Sequence, residues 1–163
     1  MIGNDVLRRI RYSFDFNDSK MIALFELGGG SVTRAEISDW LKKELDPDYK
    51  VCPDLQLATF LNGLIIDKRG QRDGPAATPE KRLTNNLIFM KLKIALNLKS
   101  DDVLELLALA DFNLSNHELS AFFRKPGHKH YRECKDQILR NFLTGIQTKH
   151  RGEPAPLTEE AED

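Results

Sequence analysis

A chain of 163 residues with 40% hydrophobic and 30% charged residues has enough apolar material for one ordinary domain or two small ones. It contains no apolar run of the roughly 18–20 residues that span a membrane, and its N-terminus lacks the apolar core of a signal peptide. Two cysteines are too few for a disulfide scaffold, and they are not spaced as a CxxC motif. We therefore expect a cytoplasmic protein with no membrane contact.

The first part of the chain shows the periodicity of four helices. Apolar residues on one face predict a first helix over residues 5–16 and a second over 18–27. The third begins at Thr33, which forms a capping-box pattern with Glu36. The fourth spans about 54–68, where apolar residues recur at helical spacing. No turn motif between alternating apolar residues predicts a hairpin, so the expected fold class is all-α.

The second half of the chain repeats the first at a fixed offset of 82 positions. Residues 49–64 read YKVCPDLQLATFLNGL and residues 131–146 read YRECKDQILRNFLTGI, with seven identical positions between them. Over residues 4–70 the same offset produces fifteen identities without a gap. A fixed period is typical of tandem structural units, and we conclude that the chain contains an internal duplication.

The duplication predicts the domain organisation. Residues 1–70 form a first helical repeat and residues 86–152 a second, joined by a linker at 71–85 that contains Pro and Gly. Residues 153–163 hold five acids and no base, and we predict a disordered acidic tail there. The two four-helix repeats are expected to pack into one body with pseudo-two-fold symmetry.

Two pairs of repeated residues call for more than core packing. Gly63 and Gly145 fall in the middle of the fourth helix of each repeat, where Gly costs about 1 kcal/mol relative to Ala. We predict that they permit close helix approach, with the two fourth helices crossing near the pseudo-two-fold axis. Asp54 and Asp136 lie near the N-termini of these helices, where the helix dipole favours a carboxylate.

Several motifs together resemble one bacterial family. They are NDVLRRIRY at 4–12, CPD, FLNGLI and KRG between 52 and 70, KLKIALNLKSDD at 91–102, and PGHKHYRECKDQILRNFLTG at 126–145. In this combination the chain resembles the YehS-type family of small bacterial proteins, a family of unknown function, over nearly its whole length except linker and tail. The resemblance implies a bacterial cytoplasmic protein with two tandem copies of one domain. It implies no activity, cofactor or catalytic residue.

The cysteines are the first candidates for chemistry. Cys52 and Cys134 each precede a fourth helix, whose N-terminal dipole can lower a thiol pKa and so favour redox or nucleophilic chemistry. A catalytic cysteine also needs a base, and Cys52 has no histidine near it, so a buried structural role is favoured. A disulfide between the two is conceivable near the pseudo-axis, although a reducing cytoplasm disfavours it.

Metal binding is the second candidate. His128, His130 and Cys134 offer up to three ligands, but no spacing identifies a fourth, and the first repeat has no histidine. We expect neither a metal nor a cofactor.

Charge distinguishes the two repeats most clearly. Residues 86–152 contain eleven lysines and arginines and seven acids, a net charge of +4, whereas residues 4–70 have a net charge of −1. A basic loop before the last predicted helix accounts for most of the excess. Its candidate ligand-binding residues, which we call the basic surface, are Arg124, Lys125, His128, Lys129, His130, Tyr131 and Arg132.

The basic surface has a functional and a structural interpretation. Its cations match phosphates, and Tyr131 offers a ring on which a base can stack. Alternatively, the loop is simply solvated, and its cations complement the C-terminus of the preceding helix. The second and third helices, separated by GGGSV, also resemble a helix-turn-helix motif, although its usual turn has about 3–4 residues.

No P-loop, GxGxxG, GxSxG or HExxH motif is present, so we expect that the protein is not an enzyme. The predicted function is binding of nucleic acid or an acidic protein partner through the basic surface. The alternative is a structural or adaptor protein that acts through protein–protein contacts. Self-association is one form of it, with the acidic loop at 44–48 of one copy attracted to the basic loop of another.

Overall fold

The computed structural model describes residues 1–152. These residues form eight helices and no strand, so the fold is all-α. The predicted acidic tail lies outside the described residues. Within them, no helix is both long and apolar enough to cross a membrane. The helices are α1 Gly3–Phe14, α2 Asp18–Leu27, α3 Arg34–Leu41, α4 Asp54–Arg69, α5 Asn85–Ala95, α6 Ser100–Leu109, α7 Asn116–Ala121 and α8 Asp136–Arg151.

Side-chain hydrogen bonds cap the N-terminus of the third helix in each repeat. The Thr33 hydroxyl accepts the Glu36 backbone N–H at 3.1 Å, and the Glu36 carboxylate accepts the Thr33 N–H at 2.8 Å. Ser115 and Glu118 form the same reciprocal pair at 3.1 and 2.9 Å. The two capping boxes predicted from the sequence are therefore confirmed, and each satisfies two N–H groups that the helix leaves free.

The connection between α2 and α3 spans residues 28–33. It is longer than the turn of about 3–4 residues in a helix-turn-helix motif. The geometry therefore does not support the resemblance to that DNA-binding motif.

The mid-helix glycines bring two helices of the same repeat into backbone contact. A Cβ atom built on Gly63 would lie 1.7 Å from the Leu24 carbonyl oxygen of α2, and one on Gly145 would lie 2.0 Å from the Leu106 oxygen of α6. The predicted close approach is confirmed, but the predicted partner is wrong. Each glycine faces the second helix of its own repeat, and α4 and α8 are not among the closely packed helix pairs.

The first helix of each repeat packs on the fourth helix of the other repeat, α1 on α8 and α5 on α4. At the start of these pairs, the amino group of Met1 contacts the Asp136 carboxylate, and the Leu83 backbone N–H donates to Asp54 at 2.8 Å. Met1 and Leu83 are equivalent positions at the offset of 82, as are Asp54 and Asp136. The repeated aspartates therefore join the repeats, in addition to meeting the helix dipole.

The same helix pairs are joined again at their other ends. Arg69 donates to the Ile94 carbonyl at 2.9 Å, and Arg151 donates to the Tyr12 carbonyl at 3.0 Å. These contacts too are equivalent at the offset of 82. An operation that exchanges the repeats carries each contact onto its counterpart, so the two units are related by a pseudo-two-fold axis.

The contacts also define the helix directions. In both cross-repeat pairs the N-termini meet and the C-termini meet, so the paired helices run parallel. Within the first repeat, Gly3 at the start of α1 lies against Leu57 near the start of α4. The N-termini of α1, α4, α5 and α8 therefore share one end of the molecule. The loops that precede α4 and α8 lie at that end.

A single hydrophobic core spans both repeats. Phe25 and Phe60 of the first repeat form an aromatic pair with centroids 5.2 Å apart, and Phe89 and Phe142 of the second pair at 4.6 Å. All four rings are fully buried. Because the first helix of each repeat covers the other repeat, the repeats complete one another's cores.

Candidate nucleic-acid interface

A buried asparagine holds the backbone of the basic loop. The Asn86 amide donates to the Phe122 carbonyl at 3.0 Å and to the Arg132 carbonyl at 2.8 Å. Its oxygen accepts the Cys134 N–H at 2.9 Å. One side chain therefore ties the end of α7 to the approach to α8 and fixes both ends of the loop between them.

The first repeat has the same anchor. Asn4 donates to the Trp40 and Lys50 carbonyls at 2.9 and 2.8 Å and accepts the Cys52 N–H at 2.8 Å. Asn4 and Asn86 are among the fifteen identities between the repeats. Each loop is therefore held by its own asparagine in an equivalent way, and the two loops differ in the side chains that they expose.

The loop exposes most of the basic surface. Lys125, Lys129 and both histidines of the loop are exposed, as is Arg132, whereas Arg124 and Tyr131 are half-buried. The His128 ring accepts the His130 backbone N–H at 3.0 Å, and the two imidazole centroids lie 5.6 Å apart. The cations therefore project from a compact turn.

The charges of the basic surface are not neutralised within the part of the chain described. None of its seven residues forms an ion pair there. The single acid of the loop, Glu133, pairs with Lys135 at 3.3 Å. Arg132 lies over the Phe122 ring, 5.6 Å from its centroid, in a cation–π contact that leaves its charge in place.

The loop and one side of α7 enclose a depression of about 200 Å³. Three residues of the basic surface line it, and the other four lie outside it. Its lining consists of His117, Glu118, Ser120, Ala121, Arg124, His130 and Arg132. The α7 residues were not predicted as site residues, because only the fold brings them to the loop: the Arg132 N–H donates to the Ala121 carbonyl at 3.1 Å.

Comparison of the repeats supplies a sequence signal for this depression. Ala121 corresponds to Asp39 and Arg124 to Lys42 at the offset of 82. In the first repeat, Lys42 pairs with Asp39 at 2.7 Å, and its ammonium holds the pKa of the Asp39 carboxyl below the usual range. The second repeat keeps the cation and lacks the acid.

The cysteines are buried structural residues. Cys52 and Cys134 are both free thiols, so the disulfide considered from the sequence is not formed. Burial raises the pKa of each thiol to about 12, with a further contribution from the neighbouring Asp54 or Asp136. The suggestion that the helix dipole lowers these pKa values is wrong, because desolvation of the thiolate outweighs the dipole.

We expect both thiols to be inert in the folded protein. A rise in pKa from 9.0 to about 12 lowers the thiolate fraction at pH 8 roughly 1,000-fold, and the thiolate is the reactive form. Titration with Ellman's reagent should detect almost no thiol in native protein and two per chain in urea. Rapid labelling of one native thiol would contradict the assignment.

The histidines and cysteines do not form a metal site in the described part of the chain. Residues 1–152 contain no group of three or more His, Cys, Asp or Glu side chains placed to hold a metal ion. Cys134 is buried behind the loop, whereas His128 and His130 are exposed on it.

A larger open concavity of about 430 Å³ lies where α1 and α8 end. Its rings belong to the contact between the repeats: Phe14 and His150 lie 4.5 Å apart. Burial lowers the pKa of His150, and Lys68 and Lys149 lower it further. Arg151 lies over the Tyr12 ring, 4.0 Å from its centroid. These side chains join the repeats at the end opposite the basic surface.

Comparison with known proteins identifies the family of the chain. The family model described as "Protein of unknown function (DUF1456)" matches it twice, at residues 3–70 and 85–152. The uncharacterized protein YehS of Escherichia coli (strain K12) is 43% identical over 150 residues, which cover 91% of this chain and 96% of that protein. No solved structure matches the chain significantly. The resemblance inferred from the motifs is confirmed, and the chain belongs to the DUF1456 family, with one copy of its domain in each repeat.

Proposed function

We propose that this protein is a non-enzymatic, cytoplasmic nucleic-acid-binding module whose contact is the basic surface. The observation that carries the proposal is the concentration of unpaired charge. Two arginines and two lysines within residues 124–132 have no ion-pair partner among the described residues. Such a cluster attracts phosphates through release of their counterions.

Rigidity of the loop adds to the proposal. Because Asn86 holds the loop at both ends, its backbone loses little freedom on binding. The ring of Tyr131 is half-buried, so one part remains available for a base. Arg124 and Arg132 suit a phosphate ligand, because a guanidinium can donate two parallel hydrogen bonds to one phosphate.

The second candidate function is a structural or adaptor role through self-association. The acidic loop at 44–48 precedes α4 and the basic loop precedes α8, and both lie at the same end of the molecule. Two copies facing each other at that end could place opposite charges together. Sedimentation velocity without nucleic acid distinguishes this role, because such a dimer should dissociate as salt is raised.

Charge reversal in the basic loop should weaken nucleic-acid binding. For about four phosphate contacts, the affinity of wild-type protein for duplex DNA should fall roughly 100-fold between 50 and 200 mM salt. The double variant Lys125→Glu/Lys129→Glu should bind at least about 10-fold more weakly at 50 mM and show a shallower salt dependence. Fluorescence anisotropy with labelled random DNA and RNA measures both effects.

The matched control is Lys43→Glu/Lys50→Glu, which makes the same charge change in the equivalent loop of the first repeat. It should leave the affinity within about threefold, because only long-range repulsion changes there. Equal losses from the two double variants would indicate a non-specific charge effect. No binding by wild-type protein at tens of micromolar would reject nucleic acid and leave a protein partner.

A further inference from the structure

We propose that the depression between α7 and the basic surface is a site for one phosphate monoester, namely the 5′-phosphate at the end of a nucleic-acid strand. The inference rests on the proposed function and gives it a chemical preference. The residues that would contact the phosphate are Arg124 and Arg132, with His117 and His130 at the rim. Lys125 and Lys129, on the same loop, would hold the backbone phosphates that follow.

The depression exposes mostly apolar surface, and the charged residues among its lining suit a terminal phosphate. Arg124 and Arg132 contribute two permanent positive charges, and Glu118 contributes one negative charge. The Glu118 carboxylate accepts the backbone N–H of Ser115 at 2.9 Å and keeps its negative charge; that hydrogen bond and the nearby charges of Arg132 and His117 lower its pKa. A phosphate monoester carries about −1.5 to −2 charges near neutral pH, against −1 for a phosphate within the strand. The net positive charge of this lining therefore favours the end of a strand over its interior.

Arg124 has a guanidinium without a partner of its own. Its side chain forms no hydrogen bond or ion pair within residues 1–152, and its Nε is buried without an acceptor. A buried donor left unsatisfied destabilises the protein, because it has given up its hydrogen bonds to water and gained none in return. A phosphate bound in the depression would bring acceptor oxygens to this guanidinium.

In the first repeat, the cation equivalent to Arg124 already has partners within the protein. There Lys42 donates to Asp39 at 2.7 Å and to Ser38 at 3.2 Å, so the cation is already occupied by the protein. In the second repeat, Ser120 is kept and the acid is replaced by Ala121. The second repeat therefore lacks both the carboxylate that pairs with the cation in the first repeat and the volume that this carboxylate occupies.

The size of the depression also favours a single phosphate group over a larger ligand. Its volume of about 200 Å³ is below the roughly 300–1,000 Å³ of pockets that hold drug-sized ligands. A phosphate with the first atoms of its ester fits this description, whereas a whole nucleotide would extend along the exposed loop.

The test compares two oligonucleotides that differ only at the 5′ end. Full-length protein is titrated into a 12-nucleotide single strand labelled at its 3′ end, with either a 5′-phosphate or a 5′-hydroxyl, at 50 mM salt. We expect the phosphorylated strand to bind at least 10-fold more tightly. Equal affinity for the two strands would overturn the inference while leaving the proposed function intact.

Two substitutions locate the effect. Ala121→Asp supplies the carboxylate that the first repeat has at the equivalent position, and we expect Arg124 to gain an ion-pair partner from it. It should remove the 10-fold preference and change the affinity for the 5′-hydroxyl strand by less than about threefold. Arg124→Ala should also remove the preference, and because Arg124 belongs to the basic surface it should weaken the binding of both strands. The control, Asp39→Ala, should leave the preference unchanged; if either test variant retained it, the depression would not be the site.

A phosphoserine peptide and phenyl phosphate separate the possible sources of the monoester. We expect both to compete at least 10-fold more weakly than the phosphorylated strand, because neither reaches Lys125 and Lys129 with further phosphates. A phosphopeptide that competes better than the strand would overturn the nucleic-acid assignment. Binding of phenyl phosphate with no binding of either strand would reject the proposed function and this preference together.

Discussion

Replacing Gly63 or Gly145 with alanine should destabilise the protein by at least about 3 kcal/mol, at the upper end of overpacking effects. In an ordinary helix the same change stabilises by about 1 kcal/mol, so the sign of the effect is diagnostic. The reason is the contact with α2 and α6, where a Cβ atom would lie 1.7 and 2.0 Å from a backbone oxygen. No rotamer change can relieve a clash with backbone, so whole helices must move apart.

Urea unfolding followed by the fluorescence of Trp40 measures this effect, because Trp40 is the single tryptophan and is 5% exposed. Gly29→Ala is the control. Gly29 has a φ of +92°, and a methyl group added there would meet no atom within 4 Å, so alanine should cost only about 1–2 kcal/mol of backbone strain. If Gly63→Ala proved as stable as wild type, the close packing of α2 on α4 would be incorrect.

The second large effect is expected for Asn86→Ala, with a loss of about 2–4 kcal/mol. The substitution removes three hydrogen bonds and leaves two carbonyls and one N–H of the loop without partners. Each buried group left unsatisfied costs about 1–3 kcal/mol, part of which water recovers at the edge of the loop. The basic loop should also lose its fixed backbone, so nucleic-acid affinity should fall at least about fivefold.

Asn4→Ala separates stability from loop positioning. It removes the equivalent bonds in the first repeat, so its loss of unfolding free energy should be similar. The basic surface is untouched, and nucleic-acid affinity should therefore stay within about twofold under conditions where both variants are folded. Asn113→Ala, at an exposed position, should change stability by less than about 0.5 kcal/mol. Equal binding losses from Asn4→Ala and Asn86→Ala would show that the loop anchor has no specific role.

The contacts between the repeats show where sequence reasoning reached its limit. An amphipathic first helix can cover the fourth helix of its own repeat or that of the other, because both present the same apolar pattern. The linker, residues 70–84 between α4 and α5, is long enough for either arrangement. Only the tertiary structure assigns α1 to α8 and α5 to α4. It thereby explains why the aspartates Asp54 and Asp136 and the arginines Arg69 and Arg151 recur in the sequence.

The candidate site divides in the same way. Charge along residues 124–132 was visible in the sequence, since the residues are contiguous. The contribution of α7 was not visible in the sequence. His117 and Ala121 lie beside the loop because Asn86 holds the loop against the end of α7. The raised thiol pKa values were missed for a related reason: the helix dipole follows from a local helix start, whereas desolvation depends on what other elements cover the sulfur.

By itself, the sequence determined what depends on neighbours along the chain. Helical periodicity, the two capping boxes, the duplication at an offset of 82 and the charged loop are all local or periodic properties. The tertiary structure decided which faces meet: the partners of Gly63 and Gly145, the exchange of first helices between repeats, and the depression beside Arg124. The physical reason is that an apolar stripe or a mid-helix glycine indicates only that another element packs there. Which helix packs there depends on how the whole chain buries its apolar surface.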